Sequence, residues 1–144
     1  MGDACIKRAD SSTAPMPPLR RFIAIVEDDA SVRKALERQV RSAGYRCQGF
    51  ASAEDFLAVA SSCDAACIVS DIGLGGMTGL QLALHPEVIR LNFPVVFITG
   101  SADPLICVAA RELGAALLHK PIIGQELLDA IVDTAGPPIA DGDK

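Results

Sequence analysis

The sequence predicts an α/β domain: a five-stranded parallel sheet with five helices distributed over its two faces. Three observations carry this prediction. Apolar runs of strand length alternate with stretches of helical periodicity from Phe22 to Thr134. The links between them are short, which implies parallel strands joined by right-handed crossovers. The strongest runs are continuous rather than alternating, as in strands covered on both faces. For five such strands the common order is 2-1-3-4-5, the flavodoxin-like arrangement. That order makes strands 1, 3 and 4 central and sets their C-terminal ends side by side.

The elements follow in order. Phe22-Ile23-Ala24-Ile25-Val26 reads as the first strand, and Glu27-Asp28-Asp29 follows at once. Val32, Leu36, Gln39 and Val40 then recur at helical spacing, with Arg33, Lys34, Glu37, Arg38 and Arg41 opposite, and Gly44 ends the helix. Tyr45 to Phe50 is a more polar second strand, suited to a sheet edge. Ser52 caps a short helix, with Asp55 at the capping-box position and Phe56, Leu57 and Val59 inward. Cys67 to Ser70 forms the third strand, ending at Asp71 and the run Ile72-Gly73-Leu74-Gly75-Gly76-Met77-Thr78-Gly79. A helix from about Thr78 stops at His85-Pro86. The next few residues, Glu87 to Asn92, fit either a last helical turn or a loop. Pro94 to Thr99 is the fourth strand, with proline at its tolerated first position. Asp103-Pro104 is a cap and first turn, and Ile106, Val108, Ala109 and Leu113 carry that helix to Gly114. Ala115 to Leu118 is the fifth strand, closed by His119-Lys120-Pro121. A last helix spans about Gly124 to Thr134, with Leu127, Leu128, Ile131 and Val132 inward.

Composition narrows the function. The 144 residues suit one domain able to bury a core unaided. A net charge of −5 and the absence of Trp argue against a nucleic-acid surface. The five cysteines (Cys5, Cys47, Cys63, Cys67 and Cys107) form no Cys-x-x-Cys pair, and His85 and His119 stand at no ligand spacing to them. They read as reduced thiols of a cytoplasmic protein rather than a zinc site. No stretch suits a membrane span, and the N-terminus has no signal-peptide apolar run. Residues 1–21, with Pro15, Pro17 and Pro18, are expected to be a flexible arm, 22–135 the domain, and 136–144 a flexible polar tail.

The chemistry gathers at strand ends. Strand 1 ends at Glu27-Asp28-Asp29, strand 3 at Asp71, strand 4 at Thr99 and strand 5 at Lys120. Each alone is ordinary: acidic residues open helices, Asp opens turns, Lys tips loops. Together they place three or four carboxylates, a hydroxyl and an ammonium around one cavity. Clustered carboxylates repel and need a cation at neutral pH. An all-oxygen site with room for water suits Mg²⁺. Lys120 can pair with Asp71 or with phosphate, and Thr99 can donate to a phosphoryl oxygen. Asp71 can then attack phosphorus, forming an acyl phosphate.

With these residues in view, the chain resembles the receiver domain of bacterial two-component response regulators over about Arg21 to Thr134. The matching segments are Val26-Glu27-Asp28-Asp29 with Val32-Arg33 and Leu36; Ser70-Asp71 with Gly76-Met77-Thr78-Gly79-Leu80; Phe97-Ile98-Thr99-Gly100; and Gly114-Ala115 with Lys120-Pro121. The phosphoacceptor loop and the Ile-Thr-Gly run are similar to receivers of the nitrogen-fixation type. The resemblance implies that Asp71 is the phosphoacceptor in a phosphorelay. It implies that Asp28 holds Mg²⁺ directly, Glu27 through water and Gly73 through its carbonyl. It also implies that Thr99 and Lys120 contact the phosphoryl group, and that the Lys120-Pro121 bond is cis. The implied donor is a histidine kinase or histidine phosphotransfer protein. The implied readers are a downstream effector or a second copy, met through the face that includes Ala109, Ala110, Leu117 and the start of the last helix. Neither nucleic acid nor membrane is an expected direct partner, and no enzyme activity is expected beyond self-phosphorylation and self-dephosphorylation.

Three features depart from the family pattern. Leu117 stands where receivers usually carry an aromatic switch, so signalling is expected through Thr99 and the loop from Gly100 to Pro104. Gly75 replaces a common proline beside Gly73, so the loop is expected to be unusually free and the phosphoaspartate short-lived. No output domain follows, which suits a stand-alone receiver or one module of a longer regulator. The alternative function is a pseudo-receiver, an interaction module that has lost phosphorylation. An aspartate-nucleophile phosphatase fits less well, because Gly73 stands where its acid–base carboxylate belongs. A flavin carrier fits poorly too, since Glu27-Asp28-Asp29 would repel phosphate.

Overall fold

The computed structural model describes residues 22–100 and 103–138. The expected arm, Ser101, Ala102 and the end of the tail lie outside the described residues. Five strands, β1 (Phe22–Val26), β2 (Cys47–Phe50), β3 (Ala65–Asp71), β4 (Val95–Thr99) and β5 (Ala116–His119), form a parallel sheet in the order β2-β1-β3-β4-β5. The predicted order is therefore the observed one. The helices are α1 (Ala30–Ser42), α2 (Ala53–Ala60), α3 (Gly79–Ala83), α4 (Pro86–Leu91), α5 (Pro104–Glu112) and α6 (Gly124–Ala135).

Strand pleating sorts the core into two layers. Ile23, Ile25, Val69 and Ile98 pack against Leu36 and Val40 of α1 and Leu127 and Ile131 of α6. Ala24, Val26 and Ile68 face the other way, onto Phe56 of α2, Leu82 of α3 and Val88 of α4. Phe97 and Ile72 meet Ala110 of α5. Each fully buried aliphatic or aromatic side chain stabilises the fold by about 1.5–3 kcal/mol relative to exposure. Two crowded layers leave the strand ends as the place for polar groups.

Six helices are formed among the described residues, not five. The ambiguous stretch is α4: the His85 side chain accepts from Glu87 N–H, Pro86 opens the first turn, and Asn92 closes the helix at φ +59°. The proline that stops α3 therefore also starts α4. The full capping box forms at α3, where Thr78 and Gln81 exchange bonds; at α2, Ser52 accepts from Asp55 N–H.

Two inward positions are corrected as well: Val59 and Val132 are exposed, while Ala53 and Ala60 of α2, Ala110 of α5 and Ala130 of α6 are buried. Alanines thus share the contact with large side chains such as Phe56 and Ile131, while Val59 and Val132 fall outside it. Ala110 is consequently no part of an exposed face; Leu105, Val108 and Leu113 around α5 and Ile123 before α6 are exposed apolar side chains. Among the described residues Cys47, Cys63, Cys67 and Cys107 are free thiols, as expected.

Candidate functional site

β3 carries Asp71 as its last residue, in register with Ile98 of β4. Its carboxylate is thus set by a strand paired on both sides, and Asp71 is only 7% exposed. Glu27 follows β1 and is 1% exposed; its backbone N–H bonds Phe50 O of β2 at 3.0 Å. The Arg33 guanidinium of α1 donates to Glu27 O at 2.7 Å, which fixes this strand end further. Asp28 is exposed. One ligand oxygen from each of Glu27, Asp28 and Asp71 lies within 4.8 Å of the other two.

Asp29, next in the acidic run, goes elsewhere. Its Oδ1 accepts from Ser31 N at 2.9 Å and Val32 N at 3.2 Å, capping α1. The cluster therefore has three carboxylates, and the fourth is spent on helix initiation.

Lys120 follows β5, and its backbone N–H bonds Thr99 O at 2.8 Å. Its Nζ stands 3.0 Å from Glu27 Oε1 and 3.2 Å from Asp71 Oδ2. Burial opposes the Lys120 charge, but the attraction of the two carboxylates outweighs it and holds its pKa above the ordinary lysine value. Burial pushes the Glu27 carboxyl up, Lys120 and the Asp29 N–H pull it down, and the Asp71 charge adds to the rise, so the net shift is upward. Glu27 Oε1 is buried and has no hydrogen-bond partner, its contact with Lys120 being an ion pair. Thr99 ends β4 and is 2% exposed. The Lys120-Pro121 peptide is cis, as the resemblance implied.

This arrangement fits a divalent cation. Three carboxylates face one ammonium, a deficit of two positive charges, and one buried carboxylate oxygen has no hydrogen bond. All donors are oxygens, the set Mg²⁺ prefers.

The loop after Asp71 is tied down rather than unusually free. Gly73 N–H donates to Asp71 Oδ1 at 3.1 Å, Gly75 N–H to Asp28 Oδ2 at 3.3 Å and Met77 N–H to Glu54 Oε2 at 3.2 Å. Gly76, not Gly73 or Gly75, takes the left-handed conformation, at φ +73°. Two structural roles were not legible beforehand. Glu54 holds the loop from α2, although its sequence context reads only as a helix start. Gly79 lets α3 meet the end of β3, since a Cβ there would lie 2.5 Å from Asp71 O. Leu117 is half-buried against the Ile72–Phe97–Ala110 cluster, as an apolar packing residue.

Comparison with known proteins agrees with this architecture. The family described as "Response regulator receiver domain" matches residues 23–132. Nodulation protein W of Bradyrhizobium diazoefficiens is 36% identical over 114 residues, covering 78% of this chain and 50% of that protein. Transcriptional regulatory protein FixJ of the same organism is 32% identical, with 78% and 55% covered. The chain thus spans about half the length of these curated relatives. Among solved structures, the response regulator StyR superposes with a TM-score of 0.72 at 36% identity, covering 81% of this chain and 59% of that one. The crystal structure of FixJ-N superposes with a TM-score of 0.71 at 28% identity, covering 83% of this chain and 97% of that one. Among the described residues no helix is long and apolar enough to cross a membrane. A parallel sheet with acidic strand ends, a lysine beyond the fifth strand and a match across most of the chain have one common source: this chain belongs to the response regulator receiver domain family.

Proposed function

We propose that Asp71 is the phosphoacceptor of a two-component relay, taking a phosphoryl group from a histidine kinase or histidine phosphotransfer protein. The observation that carries the reading is the placement of the Asp71 carboxylate. It sits at the end of a central strand, 3.2 Å from Lys120 Nζ and beside Glu27 and Asp28. An Asp71 oxygen attacks phosphorus, the P–N bond of the donor phosphohistidine breaks, and an acyl phosphate forms. Lys120 pairs with the incoming phosphoryl oxygens, and the Thr99 hydroxyl donates a further bond. Asp28 would hold Mg²⁺ directly, Glu27 through water and Gly73 by its carbonyl; when bound, the ion neutralises charge on the transferring group. Lys120 and Thr99 then report phosphorylation to the segment before α5 and to the face where Leu105, Val108 and Ile123 are exposed. That face is the proposed contact for an effector or a second copy.

Acetyl phosphate with Mg²⁺ tests this directly. Intact-mass analysis should show one added phosphoryl group, mapped to Asp71 and removed by hydroxylamine. No gain with Mg²⁺ present, from acetyl phosphate or a phosphorylated donor protein, would leave a phosphorylation-independent interaction module as the better reading.

A further inference from the structure

The three N–H bonds of the loop from Gly73 to Met77 are not equivalent. Lys120 pairs with Glu27 and Asp71, so two of the three clustered carboxylates have a cation beside them. Among the described residues no cationic side chain pairs with Asp28, and the Gly75 N–H is the hydrogen bond its side chain receives. Asp28 is also the exposed member of the cluster, and like charge on Glu27 and Asp71 pushes it outward. The Gly75 N–H opposes that push. It holds Oδ2, leaves the carboxylate's charge intact and leaves the other oxygen for a cation. Partners that hold a ligand without touching the metal commonly set its affinity. The bond requires a residue other than proline at position 75, since proline has no N–H to donate. The sequence feature that suggested a looser loop therefore supplies a tie between loop and cluster.

We propose that the backbone N–H of Gly75 is the positioning group for Asp28, so that cation binding and the order of the Gly73 to Met77 loop are linked. The proposal rests on the reading of Glu27, Asp28 and Asp71 as a divalent-cation site. Linkage is reciprocal: an ordered loop favours the ion, and the ion orders the loop.

Two substitutions separate the N–H from glycine's flexibility. Gly75→Ala keeps the donor, and a Cβ there stands 3.9 Å from Asp28 Oδ2, an ordinary contact. Gly75→Pro removes the donor. The full chain, labelled with ¹⁵N, is titrated with Mg²⁺ and followed by NMR and calorimetry. Gly75→Ala should bind within about twofold of the parent, and Gly75→Pro about tenfold more weakly. The Gly75 amide resonance should move with Mg²⁺, and in metal-free protein it should exchange faster once Asp28→Ala is made. Met77 amide exchange should differ between the proline and alanine variants, and that difference should vanish with Asp28→Ala present. A loop merely distorted by proline would keep the difference and overturn the proposal. Equal Mg²⁺ affinity in Gly75→Pro and Gly75→Ala would overturn it too, while sparing the cation site. No Mg²⁺ response at Glu27, Asp28 or Asp71 in any variant would remove the cation site and the proposal with it.

Discussion

The two strands that bring Asp71 and Lys120 together are supported very differently. β3 has seven residues, is paired on both sides and is buried at all but one of them. β5 has four, is paired on one side only and is exposed at both ends. The Asp71 carboxylate is therefore held by the core. The lysine is held by a single strand pairing and by its ion pairs with Glu27 and Asp71. A site built this way has one fixed half and one compliant half. On the proposed function, phosphoryl transfer would take place on the fixed half, and a change in the lysine's partners would be felt on the compliant one.

The largest expected effect lies at the fixed end. Asp71→Asn should abolish the phosphoryl mass gain from acetyl phosphate while leaving the circular dichroism spectrum unchanged. Next comes a contrast in packing. Ile68→Ala in β3 should cost about 3 kcal/mol by urea unfolding, and Leu117→Ala in β5 about 1 kcal/mol. Equal losses would erase the distinction between the strands.

Lys120→Met should destabilise by about 1–3 kcal/mol, because it strands two carboxylates of low exposure without removing either. The pH dependence gives the sign. Lys120 has a folded pKa above 10.5, so its contribution is fully present below 10.5 and is lost as pH rises through the folded value. Unfolding curves of the methionine variant should lack that alkaline loss.

The smallest effect is a gain. Glu27 has a folded pKa above 4.5, so the native state takes up a proton before the unfolded chain does, and stability from this group rises as pH falls through that window. Glu27→Gln should raise the melting temperature at neutral pH by a few degrees, roughly what relief of about 1 kcal/mol gives a domain of this size, and should weaken Mg²⁺ binding. A lower melting temperature would mean that the attraction of Lys120 outweighs the burial of Glu27. Stability surrendered to hold charge at a working site is a common pattern.

How far the sequence reached can be seen residue by residue. Asp103-Pro104 at a helix start and Gly44 after α1 behave as their chemistry requires, because caps and turns are local, while Pro94 falls just before β4 rather than at its first position. The ends of β1, β3, β4 and β5 were legible for the same reason: an apolar run stops at a polar residue. Val59 and Val132 are exposed against expectation because periodicity marks an apolar stripe but not which edge of it meets the sheet. Asp29 shows the same limit, since a carboxylate beside a helix start can serve the cluster or the cap, and only the path of the chain decides.

By itself, then, the sequence determined the order of elements, the parallel sheet and the set of acidic, hydroxyl and ammonium groups at its strand ends. These follow from side-chain periodicity and backbone preference within a few residues. Tertiary structure alone decided which three carboxylates converge, which two share Lys120, and that Glu54 and Asp28 tie the loop after Asp71. Those contacts join segments far apart in the chain, and their partners are selected by packing in three dimensions, which no local pattern encodes.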